Sequence, residues 1–488
     1  MSRRVRHPCP IFDVYLPPIL CRFLLVSLNI DAILGEVTIR QRRKKLAEMR
    51  QGKGLSDAYT ATISRLKAQK GHKSVLGLKV LMWVLYSERP LQILELCHAL
   101  GVEIGSTDLD PENVPASQTL VASCLGLVTV DATWSTVRLV HLTLQEHLTN
   151  DLTLFDSPHS AIAEVCLTYL NFGLVRDLSP TLRLTPSTMP LLEYASVYWG
   201  THTSRGMTEN IKILALRLLD TFDEHISAQL LILHHWDYPF WFRYNRKAQG
   251  PTGFTGLHGV AFLGIVEIVA AVLGMKEWDI NAVDCMDSTA LTSAVIRGNE
   301  EVVKMLLEQE GVNPEQADPE YGRTPLSWAA EKGHEGVVKL LLERGDVNPN
   351  QADQHDQTPL CLAASRGHRG VVKMLLERED VNPNLATENG VTPLLCAIEH
   401  GHEEVVTMLL EREDVNPNQT DTEYGATPLL CAVAKGHEEV VKMLLERENV
   451  NPNQADTEYG RTPLLCAIEN GNEEVVKTLL EREDVNPN

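Results

Sequence analysis

Few residues of this chain stand at spacings that catalysis requires. A zinc peptidase places two histidines one helical turn apart around a glutamate. A serine hydrolase needs a Gly-x-Ser-x-Gly elbow, and a phosphate cradle needs Gly-x-x-x-x-Gly-Lys-Ser/Thr. None of these occurs in the 488 residues, and neither does a glycine-rich dinucleotide fingerprint. Asp237 beside His234 and His235 is the nearest thing to an acid–base cluster. Trp236, Tyr238, Phe240, Trp241 and Phe242 surround it, so aromatic packing explains it better than catalysis does. The ten cysteines form no Cys-x-x-Cys pair; Cys396, Cys431 and Cys466 recur at one equivalent position and read as small buried apolar residues. That usage predicts a reduced compartment and a cytoplasmic location. The sequence thus assigns no catalytic residue, cofactor or metal ligand, and the chain is not expected to be an enzyme.

The side chains that do recur offer recognition. Tyr321, Tyr424 and Tyr459 each follow a glutamate and precede a glycine. Tyrosine brings a large contact area with a polar end, which interfaces favour. A second set, spaced in the same way, comprises Glu331, Lys332, Ser365, Arg366, Glu399, His400, Ala434, Lys435, Glu469 and Asn470.

The elements that must hold these residues come from a unit of about 34 residues, repeated seven times and anchored at Thr255, Thr289, Thr324, Thr358, Thr392, Thr427 and Thr462. The last five open Thr-Pro-Leu. Threonine caps a helix and proline suits its first turn, where no amide hydrogen is needed. Gly298, Gly333, Gly367, Gly401, Gly436 and Gly471 end that helix. A second helix carries a broad apolar stripe such as Val337, Val338, Leu341 and Leu342, and Val-Asn-Pro then breaks it into an extended finger. Gly322 and its counterparts supply a turn before each threonine; Asp287 and Asp356 replace it in two units, although Asp tolerates the left-handed region less well. A single unit cannot bury its own apolar face, so the period means a stacked solenoid.

The pattern Gly-x-Thr-Pro-Leu, a short helix, Gly-His, Val-Val-x-x-Leu-Leu and Val-Asn resembles the ankyrin repeat over about 235 residues. The family's usual His after Leu survives at His258, with Ser327, Cys361, Leu395, Leu430 and Leu465 in its place elsewhere. The resemblance implies a protein ligand bound on finger tips and first-helix surface, here Tyr321, Glu331, Arg366, Glu399, His400, Tyr424, Lys435 and Tyr459. From residue 251 onward 18 Lys/Arg stand against 42 Asp/Glu, a net of −24. Such a field repels nucleic-acid phosphates and anionic lipid, so basic or neutral protein surfaces are the expected partners. The final unit has no polar cap, which predicts either truncation or self-association through its outer face.

Upstream, Arg3, Arg4 and Arg6 precede apolar residues that Asp13, Pro17, Pro18 and Arg22 interrupt, an irregular leader rather than a membrane span. Residues 22–50 read as a helix ending in a basic run, and Leu55 opens another. Val75 to Tyr86, Leu91 to Leu100 and Gln118 to Leu125 are three helices; Leu127 to Asp131 and Thr136 to His141 are two β-type runs; Leu142 to Leu148 returns to helix. That is a winged-helix order. The helix from Gln118 to Leu125 contains no Arg or Lys, which argues against DNA contact.

This stretch resembles the winged-helix segment that follows the ATPase core in fungal NACHT-type signalling proteins. The carrying residues are Leu55-Ser56-Asp57-Ala58-Tyr59, Val80-Leu81-Met82-Trp83-Val84, Ser87-Glu88-Arg89-Pro90-Leu91, Val137-Arg138-Leu139-Val140-His141 and Gln145-Glu146-His147-Leu148. Leu191-Leu192-Glu193-Tyr194-Ala195 with Trp199-Gly200 is similar to the helical segment that comes next in such proteins. The resemblance implies that His141 once contacted the β-phosphate of ADP; without a phosphate-binding loop it stands here as a weak remnant candidate, because Gly52-Lys53-Gly54 is too short to serve. The expected fold is mainly α, a small winged-helix and helical domain followed by an ankyrin-repeat solenoid. The expected domains are a leader at 1–21, a helical remnant of the ATPase core's end at 22–73, a winged-helix domain at 74–155, a helical connector at 156–250 and seven repeats at 251–488. The function expected is a non-catalytic protein-interaction protein; the alternative is the regulatory half of a NACHT signal-transducing ATPase that lacks its phosphate-binding core.

Overall fold

The computed structural model describes residues 37–50, 55–151, 153–180, 182, 185–235, 253–275, 278–284 and 287–487. They belong to two compact units, Met1–Gly256 and Leu257–Asn488. The expected leader, the first part of the helix expected at 22–50, Gly52-Lys53-Gly54, and Asp237 with the aromatic residues from Trp236 to Phe242 lie outside the described residues.

In the first unit α1 (Ile39–Arg50) and α2 (Leu55–Lys67) precede α3 (His72–Tyr86), α4 (Ile93–Gly101) and α5 (Ser117–Ser123). The strands β1 (Val128–Val130) and β2 (Val137–Leu139) follow, then α6 (Leu142–Asn150). The strands pair antiparallel, Val128 opposite Leu139 and Val130 opposite Val137. Val128 and Val137 are buried where Thr129 and Arg138 are exposed, the alternation of a half-buried hairpin. Asp131 closes the turn, its Oδ1 accepting from the amides of Thr133 at 2.9 Å and Trp134 at 3.1 Å. Pro90 stops α3, and Glu95 starts α4 by accepting from the Gln92 amide at 2.7 Å. The Glu95 carboxylate is buried and neutralised by a two-pronged Arg89 pair at 2.6 and 2.9 Å. Trp83, Leu81, Leu96, Leu120, Leu127 and Leu144 fill the core.

The helices α7 (Pro158–Leu170), α8 (Gly173–Arg176), α9 (Leu192–Thr203), α10 (Glu209–Leu219) and α11 (Ile226–His235) complete this unit. A polar chain runs through it. The Glu88 amide donates to Tyr194 Oη at 3.1 Å; Tyr194 Oη lies 2.9 Å from His202 Nε2; His202 Nδ1 lies 2.9 Å from His159 Nδ1. Of the two facing Nδ1 atoms one donates and the other accepts, so at least one of the two rings is neutral. Burial drives His202 down to about 3 and His225 down to about 4.

The second unit is a row of helical hairpins. The first helices are Gly256–Leu263, Ala290–Arg297, Pro325–Lys332, Pro359–Arg366, Pro393–Glu399, Pro428–Lys435 and Pro463–Glu469. Their partners are Val266–Met275, Glu300–Leu307, Glu335–Leu342, Arg369–Leu376, Glu403–Glu411, Glu438–Leu445 and Glu473–Leu480. From Thr289 to Thr462 each anchor threonine accepts the amide three residues on, as the capping pattern predicts. Asp287 and Asp356 take φ +55°, bearing left-handed strain where the other units use glycine. Gly333 has φ +73°, and a Cβ there would lie 2.6 Å from the His368 ring. The ring needs that space, because its Nε2 donates to the Glu331 carbonyl of the previous repeat at 2.8 Å. His334 to Ile296 and His402 to Ser365 repeat the link.

Two further ladders bind repeat to repeat. Asn384 Nδ2 donates to the Asp414 carbonyl at 2.6 Å while its Oδ1 accepts from the Asn416 amide at 2.7 Å. Asn350, Asn418 and Asn453 do the same in their fingers. Arg378 is held flat by Asp380 at 2.8 and 2.7 Å and donates to the Leu342 carbonyl at 2.8 Å, a cation at a helix C-terminus. At the position of the family's usual histidine, His258 Nε2 bonds the Ala282 carbonyl at 3.1 Å, and Cys361 Sγ reaches the corresponding Leu385 carbonyl at 3.8 Å. The thiol thus keeps a weaker form of the imidazole's link. On the last repeat Ile468 is 56% and Leu480 54% exposed, whereas the equivalent Val433 and Leu445 are buried.

Replacing Asn384 with Ala removes both of its finger-to-finger bonds and should cost about 1–2 kcal/mol in urea unfolding; no change would show that the ladder contributes nothing. The buried histidines set a pH dependence. Their folded pKa values lie below the unfolded value, so unfolding takes up protons and stability falls as pH drops below about 6.5, by about 2 kcal/mol per histidine at pH 5. Hydrogen exchange in α9 should accelerate accordingly, less so in a His202→Gln variant; equal slopes in the two proteins would contradict the assignment.

Candidate protein-binding surface

The finger and first helix of the third repeat meet through charge and aromatic stacking. Arg323, at the finger's base, donates to Glu331 Oε2 at 2.8 Å and to Asp353 Oδ2 of the next finger at 3.1 Å. Its guanidinium lies 5.3 Å from the Tyr321 ring centre and 4.9 Å from that of Trp328. Tyr321 and Trp328 meet edge to face at 6.0 Å, and Trp328 Nε1 donates to Asp318 Oδ2 at 3.0 Å. Arg366 of the fourth repeat reaches back to Glu331 Oε1 at 2.9 Å. Glu331 is therefore buried with both oxygens occupied, and it fixes two arginines from neighbouring repeats. Arg323 and Glu331, with side chains 12% and 9% exposed, gain more from pairing than a surface pair does, whereas Arg366 is 59% exposed.

The other expected residues divide by exposure. Tyr321 is half-buried against its own repeat. Tyr424 is 46% and Tyr459 65% exposed. Hydrogen bonding to Glu423 raises the Tyr424 phenol above its ordinary value, and Glu458 does the same for Tyr459. Arg461 lies 4.7 Å above the Tyr459 ring and donates to Asp456 at 2.9 Å, which holds the second tip in place. Arg366, Glu399, His400 and Lys435 are exposed near the ends of their first helices. His400 Nδ1 bonds the Cys396 carbonyl at 2.9 Å, and its ring stacks on His402 with centroids 6.1 Å apart.

His141 sits elsewhere, in the first unit. Its Nδ1 accepts from the Thr143 amide at 3.1 Å and lies 2.9 Å from the Thr143 hydroxyl, so the ring caps α6.

Arg323, Trp328 and Asp353 were not singled out from the sequence. Trp328 had a signal: it is the lone aromatic at a position where other repeats carry Leu362 or Cys396. The Asn and Arg ladders also had one, in the second Asn of Asn-Pro-Asn and in Glu-Arg-x-Asp, each recurring where solvent exposure alone would allow drift.

The ankyrin-repeat family model matches three times, at residues 229–353, 345–421 and 413–488. The model for the winged helix domain of GPI inositol-deacylase matches residues 64–163. The crystal structure of the human ASB11 ankyrin repeat domain is similar at 26% sequence identity, covering 48% of this chain and 99% of that one with a TM-score of 0.41. No curated protein sequence matches the chain. The repeat model spans more than half of the 488 residues, and the chain belongs to the ankyrin-repeat proteins.

Proposed function

We propose that this chain is a non-catalytic, cytoplasmic interaction protein whose repeat array recognises a protein ligand through its finger tips and first-helix ends. The observation that carries this reading is a contrast within the array itself. The scaffold positions repeat almost unchanged from unit to unit: Thr, Pro, Leu, Gly, Val-Val and Leu-Leu. The two residues before each helix-ending glycine do not. They read Glu331-Lys332, Ser365-Arg366, Glu399-His400, Ala434-Lys435 and Glu469-Asn470. A fixed interior with a varied edge, exposed except at buried Glu331 and half-buried Ser365, is the pattern of a surface that reads a partner. Tyr424 and Tyr459 are the anchors; Arg366, Glu399, His400 and Lys435 set charge; Tyr321 and Glu331 act by holding the arginines in place.

The winged-helix match at 64–163 supports a regulatory role for the first unit. In a NACHT-type arrangement, ligand capture by the array would release a neighbouring ATPase. The second reading is that this unit is the regulatory half of such a switch and holds nucleotide through His141. The capping bonds of His141 to Thr143 favour the first reading.

A domain selected from a displayed library against the full chain should bind less tightly as NaCl rises from about 50 mM to about 500 mM. Replacing Tyr424 and Tyr459 together with Ala should weaken it further, by about tenfold or more. Unchanged affinity in both tests would remove the tips from the site. ADP with Mg²⁺ should leave the melting temperature of the chain where it is; a rise of several degrees would favour the nucleotide-switch reading.

A further inference from the structure

The first unit contains a cavity of about 430 Å³, within the range of about 300–1,000 Å³ that takes small molecules. One wall is aromatic, made by His98 of α4, Tyr169 of α7 and Phe172. The Tyr169 and Phe172 ring centres lie 5.4 Å apart. His98 stands edge-on to Tyr169 at 6.3 Å, with its Nδ1 3.4 Å from Tyr169 Oη. Another wall is the connection between α4 and α5, which supplies Asp108, Leu109, Pro111 and Val114. That connection is tied down along its length. The Gly173 amide donates to the Thr107 carbonyl at 3.0 Å, and the Leu174 amide donates to Asp108 Oδ1 at 3.1 Å. Asp110 Oδ1 accepts from the Glu112 amide at 2.9 Å. Gly101 admits Val114, because a Cβ on Gly101 would lie 3.0 Å from Val114 Cγ2. Hydrogen bonds and close packing thus fix the shape of the cavity.

The walls select by charge. Asp108 is an exposed carboxylate, and no lysine or arginine lines the cavity with it. Between Val102 and Ala116 the connection also carries Glu103, Asp110 and Glu112, all exposed, and no Lys or Arg. Arg176, the cation of α8, is exposed and stands outside the cavity wall. Burial lowers His98 below the ordinary imidazole value, so near neutral pH its ring is uncharged and does not oppose a cation. Burial likewise raises the Tyr169 phenol and keeps it neutral. An anion would therefore meet Asp108 with no counter-charge in the wall. Leu174 also lines the cavity and is 61% exposed, apolar surface that the body of a ligand would cover.

We propose that this cavity binds a small aromatic amine, its ring against Tyr169 and Phe172 and its protonated amine facing Asp108. The site belongs to the first unit, and the protein-binding reading of the repeats does not depend on it. Aromatic rings favour an aromatic body, which they meet offset or edge to face. Asp108 supplies direction. Because it is exposed, water screens it, and its attraction changes affinity by about threefold and not by orders of magnitude. Selectivity rests on sign: the same carboxylate that attracts an ammonium repels a carboxylate ligand of equal shape.

The probe is tryptamine, titrated into the full chain at low salt by isothermal calorimetry. Two molecules with the same two-ring body serve as comparisons, uncharged 3-ethylindole and anionic indole-3-propionate. Tryptamine should bind about threefold more tightly than 3-ethylindole and about tenfold more tightly than indole-3-propionate. Asp108→Asn keeps an oxygen for the Leu174 amide and removes the charge. In that variant tryptamine should lose its lead while 3-ethylindole binds as before. Thr188→Lys adds a cation at an exposed position of the cavity wall and leaves the Asp108 bond untouched. It should erase the lead as well, so the charge is tested even if the Asp108 variant loses stability. Bound tryptamine should also slow amide exchange between residues 102 and 116 and at Gly173 and Leu174. No tryptamine binding in the millimolar range or tighter, equal binding by the three molecules, a lead that survives Thr188→Lys, or slowed exchange only elsewhere overturns the proposal.

Discussion

A missing side chain sets the step of the array. Where Gly333 lacks a Cβ, the His368 ring comes close enough to donate to the backbone of the repeat before it. The same exchange recurs at Gly298 with His334 and at Gly367 with His402. The apolar second helices would stack over a range of offsets, because burial rewards area and not direction. The imidazole–carbonyl bond is directional, and with the Asn and Arg ladders it leaves one offset. Every exposed residue at the first-helix ends then stands at a fixed distance from its counterpart in the next repeat.

Much of this was legible in the sequence for a physical reason. Thr-Pro-Leu, Gly-His and Val-Val-x-x-Leu-Leu are local signals: cap, first turn, stop and apolar stripe each act within one unit, and repetition multiplies their weight. The three helices and hairpin before residue 150 were legible too, since periodicity changes from 3.6 to 2 and back within a short span. Charge pairing across repeats was harder to see. Glu331 reads as a surface acid in sequence; its own repeat supplies Arg323 through the folding of finger against helix, and only the stack adds Arg366 from the next repeat.

The first unit relies on a different device. Its histidines are interior hydrogen-bonding groups. His202 bridges Tyr194 and His159, His225 bridges the Leu170 carbonyl and Ser227, and both are kept neutral by burial. His141 follows the same economy by capping α6 with Thr143.

The central claim is that the stacked repeats hold a varied line of first-helix ends and finger tips rigidly enough to read a partner. Its most direct test is hydrogen–deuterium exchange of the full chain with and without a bound protein ligand. Protection is expected in the fingers around Tyr321, Tyr424 and Tyr459 and at the first-helix ends around Lys332, Arg366 and Lys435, with the second helices equally slow in both states. Protection confined to the second helices, or appearing only before residue 235, would contradict the account.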